Sequence, residues 1–140
     1  MFRKKKYILL TGLFIMSGLF TSAQQSEDIK LIDDIEKGFL GKRPELIVKY
    51  FDEDVKLIIL EDSYSPDREE AIILLEGFLR RNPVKSVENK FKSGKSQSNF
   101  IIKILRTEKK AYRVTIFFRS SDGIRKINLM RIEQENEPAL

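Results

Sequence analysis

The sequence predicts an α+β domain: three N-terminal helices packed on a mostly antiparallel sheet, in the order α-α-β-α-β-β-β-β. Three observations carry this. Between Asn99 and Glu133 lie three runs rich in Ile, Val, Phe and Tyr, broken by turn residues, which is the pattern of consecutive antiparallel strands. Asp122-Gly123 separates the last two runs and is the strongest short hairpin signal, because a type I′ turn needs positive φ at both central residues. Upstream, apolar residues recur at three- and four-residue steps in stretches bounded by capping residues, as amphipathic helices require.

The first helix is expected to open at Ser26, its N-cap, with Glu27 and Asp28 at the positive helix end. Ile29, Ile32, Ile35 and Phe39 form its apolar stripe, and Gly41 suits its C-terminal cap. Pro44 starts a short second helix carrying Leu46, Ile47, Tyr50 and Phe51. Asp52-Glu53-Asp54 ends it, and Val55 to Leu60 reads as a largely buried strand. The third helix begins at Ser65-Pro66, with Ser65 as N-cap, and buries Ala71, Leu74, Leu75 and Phe78. Arg80 and Arg81 suit its negative end, and Asn82-Pro83 stops it. Val84 to Phe91 is a polar strand expected at an edge, followed by a loop around Gly94.

A two-residue turn at Asp122-Gly123 sets Ser121 opposite Ile124, and the hydrophobic pattern agrees with that register. One face then collects Val114, Ile116, Phe118, Ile127 and Leu129 and is expected to pack the helices. The other collects Arg113, Thr115, Phe117 and Arg119 with Lys126, Asn128 and Met130. For the preceding strand, counting Glu108-Lys109-Lys110 as the loop sets Phe100, Ile102 and Ile104 beside Val114, Ile116 and Phe118.

Residues 1–23 have the form of a cleaved export signal. Arg3, Lys4, Lys5 and Lys6 precede an uncharged apolar core from Ile8 to Phe20, and Thr21-Ser22-Ala23 supplies small residues for cleavage. The apolar run is short of the roughly 20 residues of a membrane helix. No Cys follows it, so lipid attachment through a Cys is closed. The expectation is an exported chain, periplasmic or secreted, with residues 24–140 as one domain and no membrane span after cleavage.

Removing the signal takes four of the 26 basic residues and leaves 22 against 21 acidic ones. The basic pI therefore belongs to the targeting segment and gives no reason to expect a nucleic-acid partner. What remains is asymmetry. Residues 24–80 carry 8 basic and 15 acidic side chains, and residues 81–140 carry 14 and 6, so the two halves attract each other within the fold or across a dimer.

The chain has no Cys and no His. Thiol catalysis and thiolate metal sites are excluded, along with the commonest general base and metal ligand. Asp52-Glu53-Asp54 with Glu61-Asp62 lacks the spacing and turn Gly of a calcium loop and reads as solvated acid. Phosphate loops, nucleophile elbows and usefully spaced carboxylates are absent. No cofactor is expected.

The order of elements resembles the nuclear transport factor 2-like, or cystatin-like, α+β fold. A closer similarity is to a family of exported proteins of unknown function from Bacteroidota. It rests on the signal segment, on Gly77-Phe78-Leu79 with Asn82-Pro83-Val84-Lys85-Ser86, and on Tyr112-Arg113-Val114 with Met130-Arg131-Ile132-Glu133. The resemblance implies a sheet curled into a cone around the helices. Enzymes of that superfamily place Asp, Tyr and often His inside the cone, whereas here the Asp residues fall at predicted element ends and loops, off the strands. Tyr50, Tyr64, Phe78 and Tyr112 are the candidates for lining such a pocket. Arg113, Phe117, Arg119, Lys126 and Met130 are the candidates for an interface on the open sheet face. Function is expected to be non-enzymatic binding of a small ligand or partner protein, a homodimer through that face being one form. The alternative is an enzyme performing proton transfer or dehydration in the cone.

Overall fold

The structure, a computed structural model, describes residues 16–90 and 99–136. Most of the export-signal stretch and the loop expected around Gly94 lie outside these residues. The chain divides into two compact units between Asp33 and Asp34, and the packing described below belongs to the second, Asp34–Leu140.

The elements in chain order are α1 (Met16–Leu40), α2 (Glu45–Val48), β1 (Phe51–Ile59), β2 (Asp62–Tyr64), α3 (Arg68–Arg81), β3 (Val84–Asn89), β4 (Phe100–Thr107), β5 (Ala111–Ser121) and β6 (Ile124–Gln134). The strands form one six-stranded sheet ordered β2-β1-β6-β5-β4-β3. Every neighbouring pair is antiparallel except β1 and β6, which run parallel. The predicted α+β class holds, with β2 as an added edge strand that makes a hairpin with β1. The polar strand β3 closes the opposite edge, as its sequence indicates.

Local chemistry moves several boundaries. α1 runs through Ser26, so that residue is interior to a helix and not its N-cap. Within its stripe Ile35 and Phe39 are fully buried, whereas Ile29 is 70% exposed. After α1 the positive φ falls on Lys42, at 53°, and not on Gly41. α2 is a single turn, and Tyr50 and Phe51 lie beyond it because the strand starts at Phe51. Asp52 and Asp54 are therefore strand residues, contrary to the expectation that no Asp lies on the sheet. α3 is capped by Asp67, whose side chain accepts from the Glu70 N–H at 2.8 Å, so Ser65-Pro66 belongs to the approach and not to the helix.

The β5–β6 hairpin begins as its turn dictates. Asp122 and Gly123 both have positive φ, at 53° and 74°, and the register from Ser121↔Ile124 to Phe118↔Ile127 is the expected one. Asn128 is then an extra residue in β6: Phe117 faces Leu129 and Ile116 faces Met130. Beside it β1 is irregular too, pairing Phe51 with Ile127 but Lys56 with Leu129. Bulges on adjacent strands bend and twist a sheet locally. The bulge also exchanges two side chains between faces. Met130 turns inward and is fully buried, and Leu129 takes its place on the open side.

The β4–β5 register also differs by one residue from expectation. Thr107 closes the turn itself: its hydroxyl donates to the Lys110 carbonyl at 2.8 Å and accepts from the Lys110 N–H at 3.0 Å. That makes 107–110 the turn and pairs Arg106 with Ala111. Ile101, Lys103 and Leu105 consequently share the inner face with Ile116, Val114 and Tyr112. Phe100, Ile102 and Ile104 face outward beside Phe117, Thr115 and Arg113. The core unites this inner face with Ala71, Leu75, Phe78 and Leu79 of α3, Ile35 and Phe39 of α1, and Ile47.

Candidate functional site

Phe78 and Tyr112 are the two proposed pocket residues that the fold brings together. α3 presents Phe78 to the inner face of β5, where its ring meets Tyr112 edge-on at 5.1 Å and 82°. Both are buried, and the Tyr112 hydroxyl donates to Asn82 Oδ1 at 2.7 Å. Tyr64 stands on edge strand β2, three strand positions from β5, which is roughly 14 Å of sheet. Tyr50 lies just ahead of β1, where its carbonyl accepts from the Ile127 N–H at 2.7 Å. These four residues are thus not one pocket lining.

Tyr50 does have a partner of chemical interest. Its hydroxyl donates to Asp34 Oδ2 at 2.5 Å, and Lys49 Nζ lies 2.9 Å from the same oxygen. Burial, then the hydrogen bond to Asp34, then the Asp34 charge, hold the Tyr50 hydroxyl well above the usual phenol range. It therefore serves as a fixed donor at neutral pH and not as a base.

Lys103 is the second buried polar group. Its position on the inner face leaves it 2% exposed, yet its ammonium reaches Glu36 Oε1 of α1 at 2.5 Å and also donates to Asn89 Oδ1. Sequence reasoning missed both clusters. Asp34 and Glu36 sit in a run of helical acids, and Lys103 looks like an outward residue once the strand is read in the wrong register. Tyr50 and Asp34, and Lys103 and Glu36, are thus spent on one another, whereas Asn128 Oδ1 at the β6 bulge is buried without a hydrogen-bond partner among the described residues. Among the described residues no group of three or more acidic side chains gathers where it could hold a metal ion.

The open face of the sheet is different in character. Phe100 and Phe117 face each other across β4 and β5 with ring centroids 5.7 Å apart, and each is 38% exposed. Leu129 extends their row on β6, and Ile102 lies beside them on β4. Around this apolar row the arginines are matched by acids. Arg113 pairs with Glu135 at 2.8 Å, Arg119 with Asp52 at 2.9 Å, Arg106 with Glu88 at 2.8 Å and Arg131 with Glu133 at 3.6 Å. Glu135 also takes Lys90, and chiefly that hydrogen bond holds its carboxyl below the ordinary range, with Arg113 adding to it. Lys126 lies opposite Arg119 in the register. Of the residues expected on this face, Met130 is absent because the Asn128 bulge turns it inward.

The family model described as Domain of unknown function (DUF4783) matches residues 32–133. The chain belongs to that family. The matched stretch of this DUF4783 chain runs from the middle of α1 to the end of β6, and so takes in Asp34, Glu36, Lys103 and the open-face row. A DUF4783 family protein from Bacteroides uniformis is 27% identical, with a TM-score of 0.66 over 75% of this chain and 97% of its own. The fold extends further. A putative isomerase of the SnoaL-like family from Agrobacterium tumefaciens matches at TM-score 0.54 and 8% identity, covering 79% of this chain and 99% of its own. A hexachlorocyclohexane dehydrochlorinase (LinA) Type2 matches at 0.52 and 13%, covering 85% and 90%. At such identities the likeness shows the α+β cone fold alone. No protein of curated function matches the DUF4783 chain. Among its described residues no helix is long and apolar enough to cross a membrane.

Proposed function

We propose that this chain is an exported binding domain, not a catalyst, that pairs with a second copy of itself through the open sheet face. The observation that carries the reading is the Phe100–Phe117 row with Leu129, half-exposed apolar surface framed by four ion pairs. Large side chains left part-exposed in a contiguous row mark an interaction surface better than scattered ones do. Five strands at about 4.8 Å spacing and some eight residues in length span roughly 20 by 26 Å, the scale of a modest dimer interface.

A second copy fits this face better than a charged partner does. With the signal removed, 22 basic residues oppose 21 acidic ones, so net charge does not keep two copies apart. The face carries both signs in matched pairs, which suits the self-complementarity of a two-fold interface. Export rests on the basic, apolar and small-residue succession of residues 1–23.

Against catalysis stand the absence of His and Cys and the pairing of Tyr50 with Asp34 and of Lys103 with Glu36. The isomerase and the dehydrochlorinase that share the fold bring an enzymatic reading into view, but the interior Tyr50, Asp34, Lys103 and Glu36 are engaged with one another.

Light scattering on the chain from Gln24 tests the dimer. The expected mass is twice that of one chain, falling to one in the double variant Phe100→Asp/Phe117→Asp with its circular dichroism retained. A wild-type chain that is monomeric at 100 μM sinks the proposal. Met130→Asp is no substitute for that variant, because it buries a charge in the core and unfolds the domain.

A further inference from the structure

A recess of about 410 Å³ opens where the C-terminal end of α3 meets the start of β3 and the β4–β5 turn. Arg81, Lys85, Lys109 and Lys110 line it, with Glu108 the one acid among the lining residues. The pairing of Val84 with Thr107 creates this juxtaposition, because it brings the end of α3 alongside a turn more than twenty residues away. All four cations are solvent-exposed. Among the described residues none of the four is in an ion pair, whereas Lys49, Lys90, Lys103, Arg106, Arg113 and Arg119 all are. The molecule thus pairs many of its sheet cations with acids and leaves four cations together around one concavity.

The walls are fixed. Asn82 donates from its side chain to the Phe78 carbonyl at 3.0 Å and accepts from the buried Tyr112 hydroxyl, which ties the helix end to β5. Thr107 locks the turn through its hydroxyl and its own N–H, which donates to the Lys110 carbonyl at 2.9 Å. The cations therefore extend from a backbone ordered in advance, which reduces what an incoming anion must organise.

Dipole compensation accounts for only part of this charge. The negative end of α3 is equivalent to about half an elementary charge. Four cations less Glu108 leave a net of three positive charges, so the recess stays strongly positive after the helix end is counted. Three of the four are lysines, compact point charges that bind phosphate without demanding the planar two-oxygen geometry of a carboxylate.

We infer that this recess binds a multivalent phosphate group, free as a small phosphate ester or pyrophosphate, or borne by a lipid headgroup. This binding is separate from the dimer contact, which uses other residues.

The test is calorimetric titration of the chain from Gln24 with sodium pyrophosphate at 20 mM salt, beside citrate at equal concentration. Pyrophosphate is expected to bind at micromolar to millimolar concentration. The exposed double variant Lys109→Glu/Lys110→Glu and, separately, Lys85→Glu should each weaken binding at least tenfold, while Arg68→Glu, exposed at the other end of α3, leaves it unchanged. Cosedimentation with phosphatidylcholine vesicles containing phosphatidic acid separates the sources: retention by vesicles with no soluble binding assigns the lipid headgroup, and soluble binding alone assigns the free ester. Failure of both probes, equal weakening by Arg68→Glu, or citrate binding as tight as pyrophosphate overturns the inference.

Discussion

Replacing Lys103 by Met should leave the protein as stable as before or more so, and replacing its partner Glu36 by Gln should destabilise it. The two substitutions remove the same ion pair, so the asymmetry comes from burial. The Lys103 side chain is 3% exposed and that of Glu36 is 35% exposed. Removing Glu36's charge strands an ammonium in the core with Asn89 as its remaining hydrogen-bond partner. Breaking a buried pair from one side typically costs about 3–5 kcal/mol, and the surviving Asn89 contact lowers the expectation to about 2–3 kcal/mol. Removing Lys103 instead takes away the desolvated charge, and Glu36 returns to water. A Met at 103 lies beside Val114 across the strand pair, so it gains apolar contact, and such replacements are neutral or stabilising by about 1–4 kcal/mol. Urea unfolding followed by circular dichroism reads both. With a slope of about 1–3 kcal/mol per molar urea, Glu36→Gln should lower the midpoint by about 1–2 M. A Lys103→Met protein less stable than Glu36→Gln would refute the reasoning and mean that the buried lysine is structurally required.

Two further outcomes follow from single sites. A Cβ at Gly38 would lie 2.5 and 2.8 Å from side-chain carbons of the fully buried Ile47, so Gly38→Ala should cost about 1–2 kcal/mol despite its better helix propensity, read as a melting point lower by several degrees. The Glu135 carboxyl is held below its ordinary pKa of 4.5, so its contribution is full at neutral pH and is lost as pH falls through 4.5 and below; the stability gap between wild type and Glu135→Gln, no more than about 1 kcal/mol, should close over that acid range in pH-dependent unfolding.

The residues that made the fold legible are those that admit one conformation. Asp122-Gly123 forced a turn type, and the register it set persists for four pairs. The errors arose where the sequence is indifferent. Ile101, Ile102, Ile104 and Leu105 put apolar groups on both faces of β4, so alternation could not choose a register, and the Thr107 hydroxyl chose it. Leu129 and Met130 are equally acceptable inside, which hid the bulge at Asn128. The acids 52–54 read as a loop because strands deplete Asp, yet Glu53 and Asp54 are exposed where β1 is irregular and sheet propensity counts for little. The candidate sites were less legible still. Lys85 and Lys109 are neighbours only through the β3–β4 pairing, and no local pattern announces a contact made by topology.

The two proposed surfaces differ in how their charge is arranged, and this gives them opposite responses to salt. On the open face Arg113, Arg119, Arg106 and Arg131 each have an acidic partner, so most of its charge is matched and its association rests on Phe100, Phe117 and Leu129. In the recess the cations have no such partners, and attraction there is a field effect of unmatched exposed charge. The Debye length falls from roughly 10 Å at 0.1 M salt to about 3 Å at 1 M, which screens the second and leaves the first intact. Raising salt should therefore abolish pyrophosphate binding while leaving the mass in light scattering unchanged. Loss of both together would mean that the ion pairs framing Phe117 hold the dimer; loss of neither would mean that the recess binds by shape and not by charge.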